Sequence, residues 1–185
     1  MTSLHEPSPG QILLSREDIA AGVAHVARSL DAHCTAAVVI TVVPGGMLFA
    51  ADLVRQLRMD LALDWISCPH TPGCRTNDAD IHYRQTVPIH GRDVIVVDDA
   101  IESGATMARI LAHLQTHGPR SLAVATLLVK PGRIALPVPQ FHGFALDSDA
   151  PIVGYGLPWQ DRWRQLPFVA RLDRAPDQTA PTGQP

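Results

Sequence analysis

The segment 96–106 reads VVDDAIESGAT. Two adjacent carboxylates, Asp98 and Asp99, close an apolar, β-branched run, and a turn of small residues, Ser103-Gly104-Ala105-Thr106, follows them. Ionised carboxylates only accept hydrogen bonds, so the pair suits sugar hydroxyls, directly or through a Mg²⁺ ion. The small-residue turn can aim backbone N–H groups and hydroxyls at one point. A helix that starts there adds its positive end, so the turn suits a phosphate. A strand-to-helix turn with acids at the helix start is also a common structural arrangement, and two acids after a buried strand do not decide between the two readings. A Walker-type P-loop is excluded, because it needs a Gly-Lys-Ser/Thr run that this chain lacks.

Such a constellation needs a strand to carry it and a helix to follow it, and the chain supplies both. Val94, Ile95, Val96 and Val97 make a buried strand over 93–97, and the spacing predicts a helix over 106–117, stopped by Gly118-Pro119. Ser15 with Asp18 resembles a capping box ahead of Ile19, Val23, Val26, Ala27 and Leu30 at helical spacing. The runs 36–43 (AAVVITVV) and 121–129 are short and continuously apolar, as expected of strands covered on both faces of a parallel sheet. Gly45-Gly46 opens a helix over 47–57, and a strand over 61–66 follows. This alternation predicts an α/β fold, a parallel central sheet flanked by helices. Ligands bind such sheets at the carboxyl ends of the strands, where Asp98 and Asp99 stand.

Residues 67–80 have no periodicity and hold Pro69, Pro72, Gly73 and two cysteines. A loop of that length in a compact domain is usually functional or mobile. An antiparallel strand is expected over 81–87. Beyond Lys130, Pro131, Pro137 and Pro139 punctuate the chain, and short strands are expected over 143–146 and 152–155. The reading is a polar segment over 1–14, one domain over 15–172 with a small hood mainly over 131–172, and a disordered tail over 173–185.

The 185 residues suffice for one domain with a real core, and 46% apolar against 18% charged residues excludes a disordered chain. A net charge of -3 argues against holding nucleic acid by bulk electrostatics. No apolar run approaches a membrane span, and the N-terminus lacks the apolar centre of a signal peptide. Cys34, Cys68 and Cys74 are too few and odd in number for a disulfide framework, so a reduced, cytoplasmic protein is expected.

The whole pattern over 96–106 resembles the binding signature for 5-phosphoribosyl-1-pyrophosphate (PRPP) of type I phosphoribosyltransferases. The likeness spans 38–172 and is nearest to the hypoxanthine-guanine branch: VVPGGMLFAADLVRQL resembles its first pyrophosphate loop and helix, and TLLVK, FHGF, IVGYGL and RWRQLP follow in the branch's order. The resemblance implies Mg²⁺-dependent transfer of a phosphoribosyl group to a 6-oxopurine, with pyrophosphate released. It implies that Asp98 and Asp99 contact the ribose hydroxyls or metal. Glu102, Ser103, Gly104, Ala105 and Thr106 would form the 5′-phosphate loop, with Glu102 as the base that takes the purine proton. Gly45, Gly46 and Arg164 would meet pyrophosphate. Lys130 would meet the exocyclic oxygen, Phe141 would stack on the base, and the backbone of His142 would bond its edge. One of Asp147 or Asp149 would contribute to a second Mg²⁺ site. The family's cis peptide in the first loop implies a cis Val43–Pro44 bond. A homo-oligomer acting on PRPP and a purine base is expected.

Three departures stand out. Glu102 replaces the family's usual Asp, Pro44 its usual Lys, and SCPHTPGCR, with His70 and Arg75, its Ser-Tyr loop. They leave open another base or a secondary-metabolite acceptor, or a regulatory homologue that senses PRPP or a nucleotide and binds nucleic acid. Cys68, His70 and Cys74 match no standard zinc spacing. His113 and His117 lack the Glu of a zinc-protease motif and read as a solvated helix face. Trp159 and Trp163, flanking Arg162, read as packing.

Overall fold

The computed structural model describes residues 7–68, 80–148 and 150–173. Its centre is a five-stranded parallel sheet in the order β3-β2-β4-β5-β6. In chain order, β1 (Ser8–Leu14) leads into α1 (Arg16–His33), then β2 (Ala36–Val43), α2 (Met47–Val54), β3 (Asp60–Ser67) and β4 (Asp93–Ile101). There follow α3 (Ala105–Gln115), β5 (Ser121–Val129), β6 (Gln140–Ala145), β7 (Ile152–Val153) and β8 (Val169–Asp173). A second, antiparallel sheet has the order β1-β8-β7. Among the described residues no helix is long and apolar enough to cross a membrane.

Both faces of the parallel sheet are covered, which is why its central strands are continuous apolar runs. On one face Val23, Val26 and Leu30 of α1 and Phe49 and Leu53 of α2 pack with Val39, Ile95, Val97 and Leu127. On the other, Ile110 and Leu114 of α3 pack with Val38, Ile40, Val94, Val96 and Val124. The capping box at the start of α1 is closed in both directions: Asp18 N–H donates to Ser15 Oγ at 3.1 Å, and Ser15 N–H donates to Asp18 Oδ2 at 2.9 Å. The expected helices and the strands over 36–43, 61–66, 93–97, 121–129 and 152–155 sit where the apolar pattern puts them, with shifts at their ends, while β8 is not among the expected strands.

Three expectations are corrected. The segment 8–14 is not a polar leader but strand β1, paired with β8 from Ser8↔Asp173 to Leu14↔Val169, so the folded unit begins before Ser15 and reaches Asp173. Residues 143–146 do not belong to the hood. They overlap β6, which adds to the parallel sheet in register Ala125↔Phe141 because Phe141 and Phe144 bury themselves on the α1 side. The small sheet instead takes β1, β7 and β8. Residues 81–87 form no strand, only the single bridge Ser67↔His82. The buried Asp64 carboxylate takes two backbone donors, Thr86 N–H at 3.0 Å and Val87 N–H at 3.1 Å, and the Thr86 hydroxyl donates to it at 2.8 Å. His70, Cys74, Arg75 and the tail 174–185 lie outside the described residues.

Asp64 therefore ties the segment after the long loop to β3. Burial alone would raise its carboxyl, but hydrogen bonds from Thr86, Val87 and Trp65 outweigh it and hold the group below the usual carboxylate range. Asp93 is held down to about 2, chiefly by the Arg120 guanidinium and also by Ser121 Oγ at 2.7 Å. A depressed folded-state value means stability that is present above the ordinary carboxylate range and lost as the pH falls through the folded value. Urea unfolding is therefore expected to show stability falling as the pH drops from about 4 toward 2. Asp64→Ala is expected to cost about 3 kcal/mol at neutral pH, because it strands buried donors, and to flatten that acid limb.

Candidate active site

The strand β4 ends in the two carboxylates, and three loops converge on that end. A cleft of about 210 Å³ opens there, lined by Gly45 of the first loop, Asp98, Asp99, Glu102, Ser103, Gly104 and Thr106, and Arg164 of the hood. The first loop lies directly on β4. A Cβ on Gly46 would come within 2.7 Å of the Val97 carbonyl and 2.8 Å of the Asp98 Cα, so only glycine lets the two backbones approach this closely. The Val43–Pro44 bond is cis. Gly104 precedes α3 with φ of 85°, the left-handed region that glycine enters without strain. Ser103 Oγ accepts from the Ala105 N–H at 3.3 Å, which shapes the turn at the positive end of α3. The Ile134 N–H donates to the Ser103 carbonyl at 2.9 Å and holds the 130–139 crossover against this turn.

The carboxylates are unlike in surroundings. The Ala100 N–H donates to Asp99 Oδ1 at 2.7 Å, and the Asp99 N–H to Asp98 Oδ1 at 2.9 Å. Burial pushes both carboxyls up. For Asp98 the neighbouring Asp99 adds to burial, carrying it well above the usual range, while the Arg164 charge opposes the rise in both. Arg164 is oriented by its Nη1 donating to the Gly156 carbonyl at 2.6 Å. The hood is fixed to the sheet domain by Tyr155, whose hydroxyl donates to Asp52 of α2 at 2.6 Å. Burial and Asp52 together push that phenol far up.

Beside the phosphate-type loop, β4 and β5 bring a charged pair together. Lys130 is buried, and its Nζ lies 2.5 Å from Glu102 Oε1, whose side chain is 58% exposed. The Lys130 N–H bonds to the Ile101 carbonyl at 2.9 Å, which fixes the two residues side by side.

Gly46 and Ala105 belong to the same loops as the lining residues. Phe141 and His142 do not line the cleft. Phe141 packs on the α1 side with its ring 5.1 Å from that of His33, because β6 is a strand of the main sheet rather than of the hood. Ile152, Leu157 and Pro158 form an apolar part of the lining instead. The signal for them was the segment IVGYGLP, with Gly154 and Gly156 bracketing Tyr155 just ahead of Arg164. Asp147 is exposed and outside the cleft, and Asp149 lies outside the described residues.

Among the described residues no group of three or more His, Cys, Asp or Glu is gathered to hold a metal. The Asp98–Asp99 pair still fits Mg²⁺. A buried pair of hard carboxylate oxygens gains from a cation, and Mg²⁺ is commonly held by one or two carboxylates with substrate phosphates completing its shell.

An open parallel sheet with an acidic pair and a small-residue turn at the carboxyl ends of its strands places the chain among α/β proteins that bind ligands at that end of the sheet. Residues 11–158 match the family model described as phosphoribosyl transferase domain, and the chain belongs to that family. It is 29% identical over 169 residues to hypoxanthine phosphoribosyltransferase of Salmonella typhimurium, spanning 88% of this chain and 94% of that one. It is 32% identical over 179 residues to hypoxanthine-guanine phosphoribosyltransferase of Mycobacterium avium, covering 89% of this chain and 88% of the relative. A crystal structure of a hypoxanthine-guanine phosphoribosyltransferase from Bacillus anthracis, with HEPES in its active site, superposes with a TM-score of 0.82 at 33% identity. That match covers 91% of this chain and 99% of the other.

Raised folded-state carboxyls contribute stability below the unfolded value that is lost as the pH rises through the folded one. Asp98→Asn is accordingly expected to raise the thermal midpoint at neutral pH in metal-free buffer. A lowered midpoint by calorimetry would contradict the charge burden assigned to the pair.

Proposed function

We propose that this enzyme transfers the phosphoribosyl group of PRPP to a 6-oxopurine, hypoxanthine or guanine, and releases pyrophosphate. The observation that carries the reading is the cleft in which Asp98 and Asp99, the 102–106 turn and Arg164 face one another, with the Lys130–Glu102 pair beside the turn. The 5′-phosphate would sit on the backbone N–H groups of 103–106, the ribose hydroxyls at Asp98 and Asp99, and the pyrophosphate between Gly45, Gly46 and Arg164. Bound at the carboxylates, Mg²⁺ would supply charge neutralisation for the pyrophosphate oxygens.

The base would lie against Ile152 and Leu157, an apolar surface suited to a flat ring. Lys130 can only donate and Glu102, when ionised, only accepts. A 6-oxopurine offers them a carbonyl oxygen and a ring N–H. An amino group at the same position offers Lys130 a second donor and leaves it unpaired, a mismatch that sites of this kind reject strongly. As the base nitrogen bonds to C1 and the bond to pyrophosphate breaks, its proton passes to Glu102. Catalysis is then mostly positioning and electrostatics, with Arg164 countering charge on the leaving group. The same reading takes the enzyme as a cytoplasmic homo-oligomer. Leu63 and Trp65, 56% and 50% exposed on edge strand β3, support the second part, and sedimentation tests it.

Pyrophosphate release from PRPP and Mg²⁺ is to be followed with hypoxanthine, guanine, xanthine, adenine and uracil in turn. Hypoxanthine or guanine is expected to be the best acceptor, and adenine in that place would overturn the assignment of Lys130. Glu102→Gln is expected to keep PRPP affinity and lower kcat by about 10²–10⁴-fold. A loss under about threefold, far below the usual contribution of a general base, would remove Glu102 from that role.

A further inference from the structure

The hood carries a run of backbone that the cleft by itself does not explain. Among the described residues, the non-glycine residues with left-handed backbone are Tyr155, Gln160, Asp161 and Trp163, with φ of 47°, 48°, 62° and 69°. L-residues enter that region at a cost, and a bulky one does so rarely. Residues held there cluster at functional sites and persist only where the surroundings over-determine them. Gln160 and Asp161 have an ordinary reason. Trp159 and Arg162 exchange both backbone hydrogen bonds, at 3.2 and 3.0 Å, and a two-residue hairpin loop of that kind favours positive φ at both central positions. Tyr155 is tied down by its hydroxyl on Asp52. Trp163 lies outside the hairpin loop and has no such reason.

At Trp163 the chain turns from the hairpin toward the cleft. Its carbonyl accepts the Leu166 N–H at 3.2 Å, closing a tight turn whose first central residue is Arg164. Arg164 is bound to Gly156 in both directions. Its carbonyl accepts the Gly156 N–H at 2.9 Å, and its Nη1 donates to the Gly156 carbonyl at 2.6 Å. Gly156 in turn rests on the first loop, since a Cβ there would collide with the Gly45 carbonyl and come within 3.0 Å of Asp99. The Arg162 guanidinium lies 5.1 Å from the centroid of the half-buried Trp163 ring, a cation–π contact that holds the ring in place. Trp163 therefore joins two fixed pieces, the 159–162 hairpin and the Arg164–Gly156 clasp, and its φ sets the direction from which the arginine enters.

We propose that Trp163 is a positioning residue for Arg164: its left-handed backbone, held by the Arg162 stack on its ring, aims the guanidinium at the pyrophosphate end of the cleft. The ring serves to keep the backbone left-handed. A residue that enters that region freely needs no such hold. A residue that avoids it and lacks the ring lets Arg164 swing away. The arginine then meets the pyrophosphate only in the fraction of molecules in which residue 163 is still left-handed, and the apparent affinity falls by that fraction. The functional link rests on the reading of the cleft as a PRPP site; the backbone geometry does not.

The experiment is calorimetric titration of the full chain with Mg²⁺–PRPP and, separately, with inosine monophosphate, which carries the 5′-phosphate but no pyrophosphate, for wild type, Trp163→Gly and Trp163→Ala. Both variants lose the ring, and they differ only in the Cβ that disfavours the left-handed region. Trp163→Gly is expected to bind Mg²⁺–PRPP within about threefold of wild type, because glycine enters that region about as readily as any other. Trp163→Ala is expected to bind it about tenfold more weakly than Trp163→Gly. Inosine monophosphate is expected to bind all three alike. Equal Mg²⁺–PRPP affinity in the two variants overturns the positioning role, because it leaves only the packing of the ring. An equal loss of both ligands in Trp163→Ala overturns it too, because the effect then extends beyond the pyrophosphate. Should Trp163→Ala not fold, a crystal structure of the wild type with Mg²⁺–PRPP decides: a left-handed Trp163 with Arg164 in hydrogen-bond reach of pyrophosphate supports the role, and a Trp163 outside that region overturns it. Failure of the wild type to bind Mg²⁺–PRPP would sink the reading of the cleft, whereas equal affinities of the two variants beside tight wild-type binding sink only the role of Trp163.

Discussion

Two like charges held side by side at the end of a buried strand are the constraint around which the rest of the molecule is arranged. Asp98 and Asp99 cannot move to solvent, because Val96 and Val97 ahead of them are locked between two layers of helix. Their ionisation is opposed by burial and by each other, and eased by two backbone N–H groups and by Arg164. A protein selected only for stability would place neutral groups there. Keeping the acids is the local inconsistency that marks a site where function competes with stability. A nearby cation or hydroxyl donor relieves the cost of ionising such a pair.

The same constraint explains the loops. To present groups to those carboxylates, the first loop must touch the β4 backbone, and Gly46 permits this where a Cβ would collide. The hood must reach over the strand ends without being part of the sheet. It does so as a separate three-stranded unit stitched from both chain ends, with the Tyr155–Asp52 hydrogen bond holding it to α2. Arg164, Leu157 and Pro158 are therefore placed by contacts remote in sequence. Asp64 plays the matching role on the opposite edge, where one carboxylate secures the return from the long loop.

The Lys130–Glu102 pair joins two charged side chains from the ends of neighbouring strands. Glutamate has the reach to meet an ammonium on the next strand, and the Lys130 N–H to Ile101 carbonyl bond holds the two backbones in step. Both charged ends are thus matched in the free protein. The chemistry of a partner that could separate them is set by the pair: an acceptor for the lysine and a donor for the glutamate.

Much of the scaffold was legible in the sequence because it rests on short-range rules. The Ser15–Asp18 cap, the apolar runs of β2, β4 and β5, and the turn after Asp98-Asp99 each depend on neighbours within a few positions, and apolar periodicity reports them directly. The acids, the small-residue turn and Arg164 could be named as one constellation before the cleft was seen. What sequence could not decide was partnership. Residues 8–14 look polar until β8 offers them an edge. The FHGF segment reads as part of the hood until β6 is seen to join the parallel sheet, with Phe141 packed toward α1. Ile152 and Leu157 are ordinary hood residues until the second sheet brings them to the cleft. Pairing between distant strands is settled by which faces find apolar cover, and that is a property of the assembled tertiary structure, not of any window of the chain.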